Sequence, residues 1–463
     1  MIRNLFSIFS NSYSSVSVSF YNNRTVSIII YIVLACIVAD TIVNQNIDIR
    51  NSMYMSSTQG IGLFVALTTI SIVGQFYTLE FVRLKSRKIR RKVRQLNISH
   101  KIATIIQYLL IALCVFVIVQ IGVSWRYTSV TLATVTTASY GLNIALMTIF
   151  AKIFFSWYKS NKNSIAVLLY GLSFAVVVIT SCVFLSIGYH RFVERPSYIF
   201  PDSGIYLAKA EPGSTLYMLL KVYHYSDIVS FVLKWIATAF LLYHYSQKMG
   251  KTKYWILIGL PLAYFLGTYL DDFHMYEPHA ASEVFYWNLY VTLNSTAGGI
   301  LFFIGFIVAA RHFSHGNNNN NKNNNNWAIK DYLLICGFGF LLFFSAGQVT
   351  LANSLYPPYG LATMSFYGLS SFLILLGLYA SAFSVSEDVE LRKSIRKSTL
   401  RESKYLDSMG TAHMEKELIK RMVLKAREEQ KELTQESGGV ESSLSEEDIV
   451  NIVKEAEKDL GKK

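Results

Sequence analysis

RLKSRKIRRKVR, residues 83 to 94, decides the fold of this chain: eight basic side chains and no acid, set between two long apolar segments. Moving a lysine or arginine through the hydrocarbon of a bilayer costs about 2.5 to 3.5 kcal/mol even on a lenient insertion scale, so cations beside membrane spans stay on the cytoplasmic side. Residues 83 to 101 are therefore expected inside, and every other segment takes its side from them by alternation.

Composition agrees with a membrane chain. The 463 residues are 52% hydrophobic and 16% charged, with a mean hydropathy of +0.33, where a soluble domain carries roughly 25% charged residues. A net charge of +13 would suggest nucleic acid in a soluble protein. Here the basic residues collect at the inner ends of apolar segments and in the tail, so topology and anionic lipid account for them and no nucleic-acid partner is expected. Cys36, Cys114, Cys182 and Cys336 all fall inside apolar segments, which argues against a disulfide framework or a cysteine zinc site. The Ser/Asn-rich N-terminus lacks the pattern of a cleaved signal, so the first span is expected to stay in the mature protein.

A span needs about 20 mostly apolar residues to cross about 30 Å of hydrocarbon. Ten candidates start near Val26, Gly60, Ile102, Val130, Ile165, Ile228, Tyr254, Phe285, Tyr332 and Gly360. With residues 83 to 101 inside, so are both termini and the loops holding Lys159 and Lys162, Lys248 to Lys253, and Arg311 and Lys322, while Arg50, Arg126 and the acidic stretch Asp271 to Glu283 fall outside. The expectation is an all-α, polytopic transmembrane helix bundle of about ten spans in the cell membrane, N-in and C-in, with a cytoplasmic helical tail. Its parts are a polar cytoplasmic N-terminus (1–25), the bundle (26–385) with an exterior loop at 189–225 and an Asn-rich, low-complexity cytoplasmic loop at 312–327, and a charged tail (386–463). The fourth span is rich in Thr, and Pro261 with Gly259 is placed to break the seventh. Leu216 to Val222 reads as a short interfacial helix within the exterior loop.

Beyond the last span, Arg392, Lys393, Arg396 and Lys397, like Arg87, Lys88, Arg90 and Arg91 after the second, are expected to meet lipid headgroups. The segment from Glu387 to about Gln435 is helix-forming, with Gly410 as an interruption, and could join a cytoplasmic partner or self-associate as a coiled coil. The stretch YPPYGLATMSFYGLSSFLILLGLYASAFSVSEDVELRKSIRKS, Tyr356 to Ser398, resembles the last span and juxtamembrane helix of an uncharacterised multi-pass membrane protein family of ammonia-oxidising archaea. That resemblance covers about a tenth of the chain and implies membrane location and an archaeal source; it carries no site residues.

Two constellations could carry chemistry. Lys234 lies inside the sixth span, and an intramembrane cation is a functional candidate by default. At 100° per residue, His224, Asp227, Lys234, Thr238 and Tyr245 share an arc of about 80°, a polar stripe along that span. Asp40, near the outer end of the first span, is the partner expected from another helix. The bland alternative is a structural ion pair or a lysine that snorkels to the headgroups. The second constellation is His190, His224, Asp271, Asp272, His274 and His279, all expected at the exterior face. Imidazole with carboxylate suits Zn, Cu or haem iron, but the spacing matches no metal motif, so no cofactor is expected and a solvated rim explains the group. A P-loop, a nucleophile elbow and a dinucleotide fingerprint are absent from the sequence, and an enzyme is not the first expectation. The reading that accounts for most of the sequence is a non-catalytic sensor or scaffold that couples the bundle to the tail. The alternatives are a secondary transporter with a polar path around Lys234, and a metal-dependent membrane enzyme. A polar cavity holding Lys234 would favour transport, convergent His and carboxylate groups the enzyme, and a closed apolar bundle the scaffold.

Overall fold

The computed structural model describes residues 23–45, 58–160, 165–201, 211–243, 250–267, 281–315, 324–347, 349 and 351–387, with eight tail residues between 410 and 425. Apolar runs interrupted only by small or singly polar residues form helices because lipid or neighbouring helices satisfy their side chains while the backbone satisfies itself. Among the described residues these are α1 (Asn23–Gln45), α2 (Thr58–Lys92), α3 (Arg94–Ser124), α4 (Ser129–Ser160), α5 (Ile165–Val193), α6 (Thr215–Leu242), α7 (Lys251–Gly267), α8 (Ala281–His315), α9 (Asn324–Ala346) and α10 (Leu361–Glu387). Six of them, α2, α3, α4, α5, α9 and α10, are long and apolar enough to cross a membrane. The protein is an all-α membrane helix bundle with one small ribbon.

That ribbon pairs β1 (Tyr127–Thr128) with β2 (Tyr198–Ile199), antiparallel, Tyr127 opposite Ile199. It ties the corner between α3 and α4 to the chain leaving α5. Arg195 donates to the carbonyls of Leu351 (2.9 Å) and Ser354, and the Tyr127 hydroxyl donates to Leu355 O (3.1 Å), so both corners are fixed to the α9–α10 connection. At the opposite end, Lys85 of α2 meets Asp331 of α9 at 2.6 Å and the Tyr332 hydroxyl donates to Lys85 O. The basic stretch itself is helical: α2 continues to Lys92, breaks at the extended Val93 (φ −113°, ψ 103°) and restarts as α3.

α10 is the hub. It packs against α1, α2, α3, α4 and α9, and nearly every residue from Leu361 to Ala382 is buried. Two helices approach this closely only over glycine: a Cβ on Gly377 would lie 2.7 Å from the Cys336 nitrogen and the Tyr332 carbonyl, and one on Gly339 would lie 2.9 Å from the Ile374 nitrogen.

The Thr-rich fourth span is a full helix, because Thr134, Thr136 and Thr148 donate their hydroxyls to the carbonyl four residues back (2.7 to 2.9 Å) and need no other partner. Two expectations change. Leu216 to Val222 is no separate interfacial helix but the first turns of α6, which begins thirteen residues before Ile228; Ser214 caps it by accepting from Tyr217 N at 3.2 Å. Pro261 does not break α7, which runs through it. Pro261 has no N–H to give that turn, and the turn is held from α6 by the Trp235 indole, which donates to the Ile258 carbonyl at 2.8 Å. In the tail, Gly410 and Thr411 are helical, and Gly410 lies so close to α10 that a Cβ would come within 2.7 Å of Val385 Cγ1. The preceding residues 388–409 and the Asn tract through residue 323 lie outside the described residues.

Candidate functional site: the Lys234 cavity

α6 is held to α5 by a ladder of small polar groups. Tyr170 shares a hydrogen bond with Thr238 (2.8 Å), Ser173 donates to Ser230 O (3.1 Å), and Thr180 donates to Ser226 Oγ (2.9 Å). Residues 170, 173 and 180 lie on one face of α5, as do 226, 230 and 238 on α6, so the ladder fixes the rotation of α6 about its axis. Lys234 then faces inward and is only 3% exposed. Between α6 and the α9–α10 pair the bundle leaves a cavity of about 40 Å³, room for roughly three water molecules.

Lys234 lies in that cavity with its ammonium 5.0 Å from the Phe344 ring centroid and 5.4 Å from that of Phe343. Contact with two ring faces favours the cation. Among the described residues the Lys234 ammonium makes neither a hydrogen bond nor an ion pair, though it feels the attraction of the Asp227 carboxylate. Asp227, two turns earlier on α6, lines the same cavity and is half-buried, as are Tyr223 and Gly347, which marks the side from which water reaches it. Tyr140 of α4 and Tyr367 of α10 close the far wall, their ring centroids 4.6 Å apart. Behind them Asn143 donates to Ser181 Oγ (2.7 Å) and accepts from Ser371 Oγ (2.6 Å), an interhelical lock across α4, α5 and α10. Ser230 Oγ also lines the cavity, in a residue 1% exposed, and has no hydrogen-bond partner among the described residues.

Of the residues on the expected stripe, Asp227 and Lys234 reach the cavity, and Thr238 lies a turn beyond it, bonded to Tyr170 and to the Lys234 carbonyl. His224 is half-buried with its ring against Tyr223 at 5.6 Å and is not part of the lining. Tyr245 lies outside the described residues. Asp40 does not partner Lys234. Its carboxylate accepts from the N–H of Gly360 (2.8 Å) and Thr363 (3.2 Å) and from the Thr363 hydroxyl (2.7 Å). It caps α10 from another helix, where the unpaired N–H groups and the positive end of the helix dipole meet an anion. Gly360 has φ +91° there, and a Cβ would lie 2.9 Å from Asn44 Nδ2, so only glycine fits.

The metal candidates Asp271, Asp272, His274 and His279 lie outside the described residues, His190 is exposed at the end of α5, and no group of three metal-ligating side chains occurs among the described residues. Of the headgroup candidates, Arg87 and Arg91 are exposed, whereas Arg90 folds back onto its own helix, donating to Ser86 Oγ and Arg83 O at 2.8 Å. Burial and the nearby Arg83 and Arg87 lower the Arg90 pKa from its ordinary value. Nothing is described of the Lys88 side chain, and Arg392, Lys393, Arg396 and Lys397 lie outside the described residues. A second buried polar seam joins Gln75 of α2, Gln107 of α3 and Ser365 of α10, with Gln107 donating to Gln75 Oε1 at 2.7 Å. It holds no charged side chain.

The sequence reasoning missed Tyr140, Tyr223, Ser230, Phe343, Phe344 and Tyr367. One signal pointed to part of the site: the tripeptide Tyr-Gly-Leu occurs at Tyr140, Tyr170 and Tyr367, two of which line the cavity while the third anchors the helix that carries Lys234. Comparison with family models, with curated proteins and with solved structures yields no match, so the site is read from its own chemistry.

Proposed function

We propose that this chain is a multi-pass protein of the cell membrane, with about ten spans and both termini cytoplasmic, that binds a small polar solute at Lys234 and carries it across the bilayer as a secondary transporter. The observation that carries this reading is the cavity itself. A buried ammonium without a protein acceptor, beside a carboxylate and several hydroxyls, is costly to keep for packing alone. A hydrophobic residue would fill the same gap more stably. The position of the site, between one helix held along α5 and a tightly packed α9–α10 pair, supports alternating access by movement of α6 against that pair. Meeting of the basic stretch and the tail at one end of the bundle supports the N-in, C-in orientation, since Lys and Arg mark the cytoplasmic face.

The test is flux. In proteoliposomes, uptake of a labelled panel of small carboxylates, inorganic anions, amino acids and sugars should reveal at least one solute carried by the unmodified protein, and Lys234→Met should abolish that uptake while folding normally. Uptake unchanged in folded Lys234→Met would overturn the reading.

The sensor reading keeps one observation of its own. His413 of the tail is buried among Trp157 (6.3 Å between ring centroids), Tyr379 (5.5 Å) and Phe383 (5.5 Å), at the ends of α4 and α10. A tail docked on helices that also wall the cavity could report its occupancy. Limited proteolysis of the tail should accelerate in Trp157→Ala, and solute binding should alter that rate if the two are coupled.

A further inference from the structure

We infer that the solute is a compact monoanion, of formate or acetate size, whose acceptor atoms bridge the Lys234 ammonium and the Ser230 hydroxyl. This rests on the reading of the cavity as a solute site and names the chemistry that the site selects. Lys234 and Ser230 are one helical turn apart on the inward face of α6. The ammonium has three donors and no capacity to accept, and no described side chain accepts from it. The Ser230 hydroxyl can donate, and it too lacks a partner while its own carbonyl is taken by Ser173. Two adjacent donors aimed into one small space require an acceptor, and a solute with two acceptor atoms on one carbon meets both.

Charge and size narrow the class. A cation would face Lys234 at close range, and a neutral solute would leave the ammonium with the attraction of Asp227 alone, which makes no ion pair with it. Asp227 is the carboxylate in the lining and lies toward the half-buried side. It attracts the ammonium and repels an anion in proportion to the anion's charge, so a dianion is disfavoured more than a monoanion. The cavity of about 40 Å³ holds about three water-sized atoms, which formate fills and gluconate exceeds. Phe343 and Phe344 on the opposite side offer ring faces to the ammonium and no donor to the anion, so the solute is held from the α6 side.

The experiment uses the full chain in detergent micelles at constant ionic strength, with sodium gluconate exchanged stepwise for sodium formate or acetate while the apparent melting temperature is followed. A saturable rise is expected with formate and acetate, and none when methylammonium gluconate replaces sodium gluconate. The apparent affinity should fall at least about tenfold in Lys234→Met and about three- to tenfold in Ser230→Ala, the range for losing one charged or one neutral hydrogen bond. No saturable rise with either anion in the unmodified protein, or an affinity unchanged in Ser230→Ala, overturns the inference. If Lys234→Met fails to fold, Ser230→Ala decides it alone. Formate binding without flux of any solute in proteoliposomes would uphold the monoanion site and remove transport. Lys234-dependent flux of a neutral solute or a cation without formate binding would do the reverse.

Discussion

Among the described residues two charged side chains, Asp40 and Lys234, are buried inside this bundle, and their surroundings are opposites. Asp40 is 1% exposed and each of its oxygens is used: two backbone N–H groups and one hydroxyl at the start of α10 donate to it. Lys234 is 3% exposed and faces two aromatic rings and a cavity. The first arrangement is structural, since a helix N-terminus must give its orphan N–H groups somewhere to go. The second leaves charge available to something that is not part of the chain. What separates the two is whether the protein itself completes the hydrogen bonds.

The largest expected effect lies on the Asp40 side. Asp40→Ala strands two N–H donors at a buried helix start and should lower stability by about 2 to 4 kcal/mol, read as a fall in apparent melting temperature. Gly377→Val should follow, at about 1 to 3 kcal/mol, because the added methyl groups meet backbone atoms of α9 that cannot step aside. Changes at the cavity should be mild by the same measurement. Lys234→Met should stay within about 1 kcal/mol of the unmodified protein, since the ammonium it removes makes no hydrogen bond and the carboxylate of Asp227 that attracts it is half-buried, on the side from which water reaches the cavity. The smallest effect is expected for Lys85→Met, which removes the part-exposed pair with Asp331 and should cost about 0 to 1 kcal/mol, less at high salt. A Lys234→Met variant that melts as early as Asp40→Ala would erase the contrast between the two centres.

The positions of the helices were legible because apolar length is a direct signal. Helix starts were less so. Ser214 after Pro212 and Gly213 is a cap signal, yet the Tyr- and Lys-bearing turns that follow are less apolar than a span, and α6 was placed thirteen residues short. Lys234 could be singled out because a cation among apolar residues is rare. Its surroundings could not, because Phe343, Phe344, Tyr140 and Tyr367 are unremarkable in an apolar chain and meet only through packing. The mistaken pairing with Asp40 has a physical source: opposite charges in lipid suggest each other, but a helix N-terminus satisfies a carboxylate as well as a cation does, and it carries no charge in the sequence.

The measurement that bears most directly on the separate roles of the two charges is a double-variant cycle. Asp40→Ala, Lys234→Met and the combined variant would be compared by melting in detergent micelles. The two centres share no partner, so their effects should add to within about 0.5 kcal/mol, with the combined variant as unstable as Asp40→Ala alone, or nearly so. A combined variant that regains most of the stability lost in Asp40→Ala would show that the charges support each other and would contradict the assignment of Lys234 to a solute.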